Sequence, residues 1–469
     1  MSSLPIESNA GETTAGRDRV LPIAALIAIA VVLLGFDLGG WVLESNDEAR
    51  FPMMARDVLV HGHWLAPEIA GTPMLNKPPL HAWLIALASL GGGEVTPRTA
   101  ALPSMLAAVA VVLVTAWFAS RWFGVGAGLA AGFMTATTVG VFTLARSALP
   151  DMTLTLAATA ATCAFGAAEL DRRPRALVVF YGLTGLAFLA KGPAGLIPLA
   201  TAAAYTILLH GPRGLARLVS VPGFAVIAVL TVAWPVVALQ ANSHLFVHDV
   251  LTKDMEANYF GLLTWRWQRL VEPFRQAISL SLPWSVLLPV AVRAAVRDGV
   301  RRSPAAWLAI VWTATAFILV ALSERQRARY YVPLCPPVAM LVAAWYDRRR
   351  FGRRATVLAG ACAVVVVVAF GVGERYEMHR RDRLNDVSAM AAALRNADGP
   401  MFAVDSPELV FGYYLNRPIV PLVYYSQFER DPGHGYIIVS DPVSQTVPPS
   451  VDRLATARVN GRTFVLMKR

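Results

Sequence analysis

Apolar runs of about 20 residues, long enough to cross a bilayer as helices, alternate with short polar stretches along most of the chain. The first runs from Val20 to Val42. Others begin near Arg98, Gly126, Asp151, Ala176, Ala194, Val219, Gln276, Pro304, Tyr330 and Ala355. The pattern predicts about eleven spans. It changes near Gly373. "FAVDSPELVFGYYLNRPIVPLV" and "GYIIVS" alternate β-rich runs with turn residues, and "RLNDVSAMAAALRNA" carries helical apolar spacing. The expected fold is an α-helical polytopic membrane protein with a small C-terminal soluble α/β domain. Its expected divisions are a polar tail (1–19), a membrane domain (20–373) and the α/β domain (374–469). A mostly polar loop at 44–97 holds amphipathic, interfacial stretches.

Composition agrees. The 469 residues are 56% hydrophobic and 16% charged, where a soluble domain carries about 25% charge. The net charge of +11 does not point to nucleic acid, because the basic residues sit in short loops. "RWFG" at Arg121, "DRRPR" at Asp171, "HGPRGLAR" at His210, "RAAVRDGVRR" at Arg293 and "DRRRFGRR" at Asp347 fall in every second loop. The positive-inside rule assigns these loops to the cytoplasm, with Arg17, Arg19 and the N-terminus. The other loops and the C-terminal domain then face outward. No cleavage site follows the first run, which reads as a retained helix. Cys163, Cys335 and Cys362 are scattered and form no metal or disulfide pattern.

The outward loops collect the unusual charges. Asp47 and Glu48 follow the first apolar run; Asn46 or Asp47 is placed to cap the next helix. Lys77 precedes Pro78 and Pro79, which keep it out of helical geometry. It reads either as an interfacial lysine or as a fixed ammonium for a lipid phosphate. Arg146 and Asp151 lie at a span boundary, where Asp151 is placed as an N-cap, and Lys191 lies between two apolar runs. Arg325, Arg327 and Arg329 gather on the outer face against the positive-inside pattern, which points to anion binding. Acids, cations and aromatics beside a bilayer suit transfer from an anionic lipid-linked donor. The cations would stabilise the leaving phosphate and an acid would orient or deprotonate the acceptor. A non-catalytic transporter is the competing class, but no internal repeat supports it. No Walker loop, thiolate zinc pattern or G-x-S-x-G is present.

The stretch "NDEARF … GHWLAPEIAGTPMLNKPPLHAWL … RTAALPS", Asn46 to Ser104, resembles the protein O-mannosyltransferase-like GT-C glycosyltransferases. Its strongest likeness is to the bacterial branch containing the 4-amino-4-deoxy-L-arabinose (lipid A) transferase. The motif positions are Asp47, Glu48, Arg50 and Phe51; Gly62, His63 and Trp64; Lys77 to Leu80; and Arg98. "ARSALPD", "LAKGPAG" and "YYVPLCPP" continue the likeness. The resemblance implies a polyprenyl-phosphate sugar donor, undecaprenyl phosphate being the expected carrier, and a lipid or glycan acceptor. It places the reaction on the periplasmic face of a bacterial inner membrane. A protein O-mannosyltransferase-type activity is the alternative. Carried over by motif, Asp47 and Asp151 are the catalytic acids. Lys77, Lys191, Arg325, Arg327 and Arg329 contact the donor phosphate, and Glu48, Arg50, Arg146 and Tyr330 support them. The resemblance also raises a divalent metal, zinc or magnesium. The glutamate that helps hold zinc in the lipid A branch is replaced here by Asn76, which leaves Asn76, His244 and His248 as weak metal candidates. The lysine expected before the Y-x-x-P signature is Gln326, so the phosphate contact is expected from a neighbouring arginine.

Overall fold

The structure, a computed structural model, describes residues 10–40, 43, 45–248, 250, 268–323, 326–349, 352–384, 386–395, 398–430, 435–441 and 452–468. Helix α1 (Ala10–Gly35) stops at Gly35 and not at Val42. Asp37 and Gly39 take positive φ and turn the chain. A Cβ on Gly39 would lie 2.9 Å from the Arg98 backbone, so this turn packs closely only with glycine.

Helix α2 (Asn46–His61) follows, and its N-cap corrects the sequence reading. Ser45 caps the helix, its side chain accepting from the Glu48 N–H. Asn46 is engaged elsewhere: its Nδ2 donates to Glu408 Oε2 at 2.8 Å and its Oδ1 accepts from the Leu409 N–H at 3.0 Å. A small hairpin, β1 (Glu68–Ile69) and β2 (Thr72–Pro73), leads into α3 (Leu80–Ser89). Helix α4 (Pro97–Phe123) starts at a reciprocal capping box between Thr96 and Thr99.

The chain continues through α5 (Val125–Ala136), α6 (Val139–Leu144), α7 (Asp151–Glu169), α8 (Ala176–Lys191), α9 (Ile197–His210) and α10 (Val221–Phe246). After 251–267 come α11 (Gln268–Leu280), α12 (Leu288–Asp298), α13 (Pro304–Ala321), α14 (Cys335–Arg349) and α15 (Arg353–Leu384). Each expected apolar run overlaps a helix. Length and composition qualify five described helices as spans, or six if the α11/α12 region, bent by 113°, is one span. Short and broken helices explain part of the difference. The apolar part of α1 is only Leu21–Gly35, α5 is short, and Ala176–His210 counts as a single span. The chain is a helical, multi-pass membrane protein.

Helices α1, α4, α5, α13 and α14 share one core with Trp312 and Tyr331 fully buried in it. The bundle has two chemically different ends. At one, Arg121 pairs with Asp171 at 2.5 Å, His210 with Glu169 at 2.6 Å, and Arg348 with Asp298. Helix α7 runs from Asp151 to Glu169, about 28 Å at 1.5 Å per residue. Asp151 therefore lies at the opposite end, a bilayer core's thickness away.

Helix α15 remains helical to Leu384, beyond the expected boundary at 374. A five-stranded sheet follows, in the order β4-β3-β5-β7-β6: β3 (Met401–Val404), β4 (Val420–Leu422), β5 (Tyr436–Asp441), β6 (Asp452–Val459) and β7 (Arg462–Lys468). Strand β3 is parallel to β4 and β5, and β7 is antiparallel to β5 and β6. Alternate residues serve two cores, as the two-residue period requires. Val404, Ile437, Val439 and Val465 pack with Phe428. Met401, Ala403, Ile438 and Leu466 face a core shared with Phe51, Met54 and Val58 of α2 and Ile85 of α3.

The α/β unit is thus fastened to the first loop. The link is made largely by α16 (Glu408–Leu415). Arg56 donates to the Tyr413 carbonyl at 3.2 and 3.3 Å, the Tyr414 hydroxyl accepts from the Leu43 N–H at 2.8 Å, and the Tyr413 hydroxyl donates to the Val95 carbonyl. Burial pushes the Tyr413 phenol up to about 12, so it stays a neutral donor. Asn46→Ala removes two bonds of this docking surface, one to a charged acceptor, and should weaken it by about 1–3 kcal/mol. The expected result is earlier release of a C-terminal fragment in limited proteolysis; a cleavage pattern like that of the parent would count against the docking role.

Candidate active site

At the end of the bundle opposite the basic loops, four parts of the chain bring ionised side chains together. Asp47 stands in the first turn of α2, where the helix dipole favours a carboxylate. Its Oδ1 accepts from Arg50 Nη1 at 3.1 Å, while its Oδ2 is shared by Arg327 and by Arg329 Nη2, the latter at 2.8 Å. Asp151 opens α7, but it is not a cap: Pro150 holds the cap position and no side chain caps the helix. Its carboxylate, 1% exposed, pairs through Oδ1 with Lys191 at the end of α8.

Arg329 joins the two acids. Its Nε faces Asp151 Oδ2 at 3.8 Å, an ionic contact and not a hydrogen bond. Both atoms keep unused hydrogen-bonding capacity. Tyr330 lines the same group, with Lys191 Nζ 4.2 Å and the Arg329 guanidinium 5.5 Å from its ring centre. Arg327 and Arg329 reach the site from either side of the start of the 3-10 turn Ala328–Leu334. Two carboxylates meet four cations, Arg50, Lys191, Arg327 and Arg329, so the cluster carries excess positive charge. Asp47, Lys191 and Arg329 are each about one-fifth exposed. The group is accessible yet partly shielded, a setting in which charge interactions are stronger than in open water.

The remaining candidates take other places. Lys77 is half-buried in the bend before α3, followed by the buried Pro78 and Pro79. Arg146 is buried among helices, donating to the carbonyls of Leu33 and Phe142 and lying over the Phe142 ring. It ties α1 to α6. Glu48 stands beside Asp47 in the first turn of α2. Gln326 donates to the carbonyls of Val320, Ala321 and Ser323 and accepts from the Tyr331 hydroxyl. It thus closes the end of α13, leaving the ion pairs to the arginines after it. Arg325 lies outside the described residues.

A family described as dolichyl-phosphate-mannose-protein mannosyltransferase matches residues 76–238. The chain is 27% identical over 350 residues to an undecaprenyl phosphate-alpha-4-amino-4-deoxy-L-arabinose arabinosyl transferase of Edwardsiella ictaluri. It is 28% identical over 342 residues to a protein of the same name from Pseudomonas aeruginosa. These alignments take in 70% and 69% of this chain and 60% of each relative's length. The solved structure of ArnT from Cupriavidus metallidurans bound to undecaprenyl phosphate superposes with TM-score 0.76 at 18% identity, covering 95% of this chain and 97% of that one. The chain shares the fold of that ArnT structure. The Archaeoglobus fulgidus oligosaccharyltransferase is more distant, with TM-score 0.54 at 13% identity over 90% of this chain and 69% of its own.

The metal raised by the GT-C resemblance does not fit Asn76, His244 and His248. Asn76 offers a neutral amide oxygen, buried and without a hydrogen-bond partner. His244 and His248 are exposed at the end of α10, their rings stacked 6.4 Å apart. Among the described residues neither histidine belongs to a group of three close His, Cys, Asp or Glu ligands. The group that does exist, Asp57, His61 and His63, was not singled out from the sequence. Its signal is legible there: "DVLVHGH" places a histidine one helical turn after an aspartate, then a glycine and a second histidine.

Proposed function

We propose that this GT-C protein is an integral-membrane glycosyltransferase. It takes a sugar from an undecaprenyl phosphate-linked donor and places it on a lipid or glycan acceptor of the cell envelope. The chain is read as eleven membrane segments in the bacterial inner membrane, with the N-terminus cytoplasmic and the site and the α/β unit on the periplasmic face. The observation that carries the reading is Arg329 set between Asp47 and Asp151 in a cluster with excess positive charge.

Transfer breaks the bond between the anomeric carbon and the donor phosphate oxygen and forms one to the acceptor oxygen. Negative charge grows on the departing polyprenyl phosphate, where Lys191, Arg327 and Arg329 would stabilise it, and Lys77 is proposed as a further donor contact. Asp47 would hold the acceptor, and would take its proton if the acceptor is a hydroxyl; a phosphate acceptor arrives already ionised. Because guanidinium groups occupy the Asp47 carboxylate, a donor phosphate that draws Arg327 and Arg329 toward itself would release Asp47 for the acceptor. This predicts that donor binds before acceptor.

The matched family's description favours a second reading in which a protein hydroxyl is the acceptor. Mass spectrometry of envelope lipids, glycans and proteins from a strain lacking the gene separates the two. Loss of a sugar from lipid or glycan is the expected outcome, and loss from protein selects the second reading. An unchanged envelope, together with solute movement by the purified protein in liposomes, would replace both with a transporter.

A further inference from the structure

The cluster at the far end of α2 plays no part in the proposed chemistry. Asp57 and His61 are four residues apart and share a helix face. Gly62 then takes φ 75°, a left-handed cap with open space around its Cα, and turns the chain so that His63 returns to the same face. His61 Nδ1 lies 2.8 Å from Asp57 Oδ1, and His63 Nδ1 lies 3.1 Å from Asp57 Oδ2. The two imidazoles stack at 5.7 Å. The Glu68 N–H, at the start of the β1–β2 hairpin, donates to Asp57 Oδ2 at 2.7 Å and fixes the carboxylate.

We propose that Asp57, His61 and His63 form a binding site for a divalent transition-metal ion of the zinc class, which fastens the end of α2 to the loop that follows it. The donor set suits such an ion: two imidazoles and one carboxylate are borderline ligands that favour zinc over calcium or magnesium. Spacing agrees. Bonds of about 2.0–2.2 Å at tetrahedral angles separate ligand atoms by about 3.4 Å, and one ligand atom from each residue lies within 4.8 Å of the others. The two imidazoles, 60% and 44% exposed, have room to turn toward a shared ion, while Asp57 is 8% exposed and anchored. The exposed side leaves a fourth position to water. The place is also favourable electrostatically, because the C-terminal end of a helix attracts positive charge. Hydrogen bonding alone gives a weaker account of two largely solvent-facing side chains held on one carboxylate.

The test uses full-length protein in detergent, without a polyhistidine tag, stripped with chelator and titrated with zinc and with cobalt. About one ion per chain should bind, with a cobalt absorption spectrum of low coordination number. Hydrogen exchange should slow in residues 57–73 on zinc addition. His61→Ala/His63→Ala should lose at least about 100-fold in affinity, since even outer-shell partners of a metal contribute about 10–100-fold, and should lose the exchange protection. Asn76→Ala/His244→Ala should bind as the parent does. Both histidines are exposed enough to replace without disturbing the core. Equal zinc affinity in the double histidine variant, or no uptake by the stripped parent protein, overturns the proposal. Asp47→Asn should keep zinc binding, so failure of the transferase reading would leave this result intact.

Discussion

Asp47→Asn should reduce sugar transfer by at least about 100-fold, the lower end of what a positioned acid or base contributes. The substitution keeps the side chain's shape and removes its charge. The protein should still fold, because partly exposed ion pairs contribute little to stability. Arg327 and Arg329 would lose their shared acceptor and become more available to a phosphate. The donor KM should therefore stay level or fall while kcat collapses. That split separates a role in acceptor handling from a role in donor binding. Transfer of labelled sugar in membranes supplied with lipid-linked donor, normalised to protein amount, measures it. Full activity would remove Asp47 from the chemistry, and a raised donor KM at normal kcat would reassign it to donor binding.

Arg329→Ala should lower kcat and raise the donor KM together. It removes the cation that contacts both acids and leaves Asp151, almost fully buried, facing Lys191 without its second cation. Loss of a preorganised donor aimed at developing charge costs about 100–1,000-fold in rate, and loss of a phosphate contact should also raise the donor KM. Arg329→Lys keeps the charge but not the planar fork that reaches Asp47 and Asp151 together, so it should recover only part of the activity. Arg327→Ala is a useful companion: this side chain is 44% exposed, and its removal should cost less. Wild-type kinetics in Arg329→Ala would refute the bridging role.

Much of this cluster can be read from the sequence because its members are out of place there. Acids at the exit of an apolar run, a lysine between two such runs and arginines on the outward side each violate an expectation of membrane helices, so Asp47, Lys191, Arg327 and Arg329 stand out. Their pairing could not be read, since it depends on four chain segments meeting. Local rules also failed where distant partners intervene. Asn46 is a good cap by composition, yet Glu408, 362 residues later, recruits it and leaves the cap to Ser45. Asp151 likewise loses a capping role to Lys191 and Arg329. Helix ends were obscured by turn chemistry: Asp37 and Gly39 end α1 inside a run whose apolar character continues. The apolar face of α2 hid a further fact. The stretch after Asp47 reads as interfacial, but its Phe51, Met54 and Val58 complete the core of the C-terminal sheet.

The bonds from Asn46 and Leu43 to the segment around Glu408–Tyr414 have a consequence for biosynthesis. The residue beside Asp47 finds its partners only after nearly all of the chain has been made. A ribosome inserting this protein would thread the helices into the membrane while α2 still lacks its final support. Catalytic competence would then be the last property the nascent chain acquires, and a chain cut short before Glu408 would be inserted but idle.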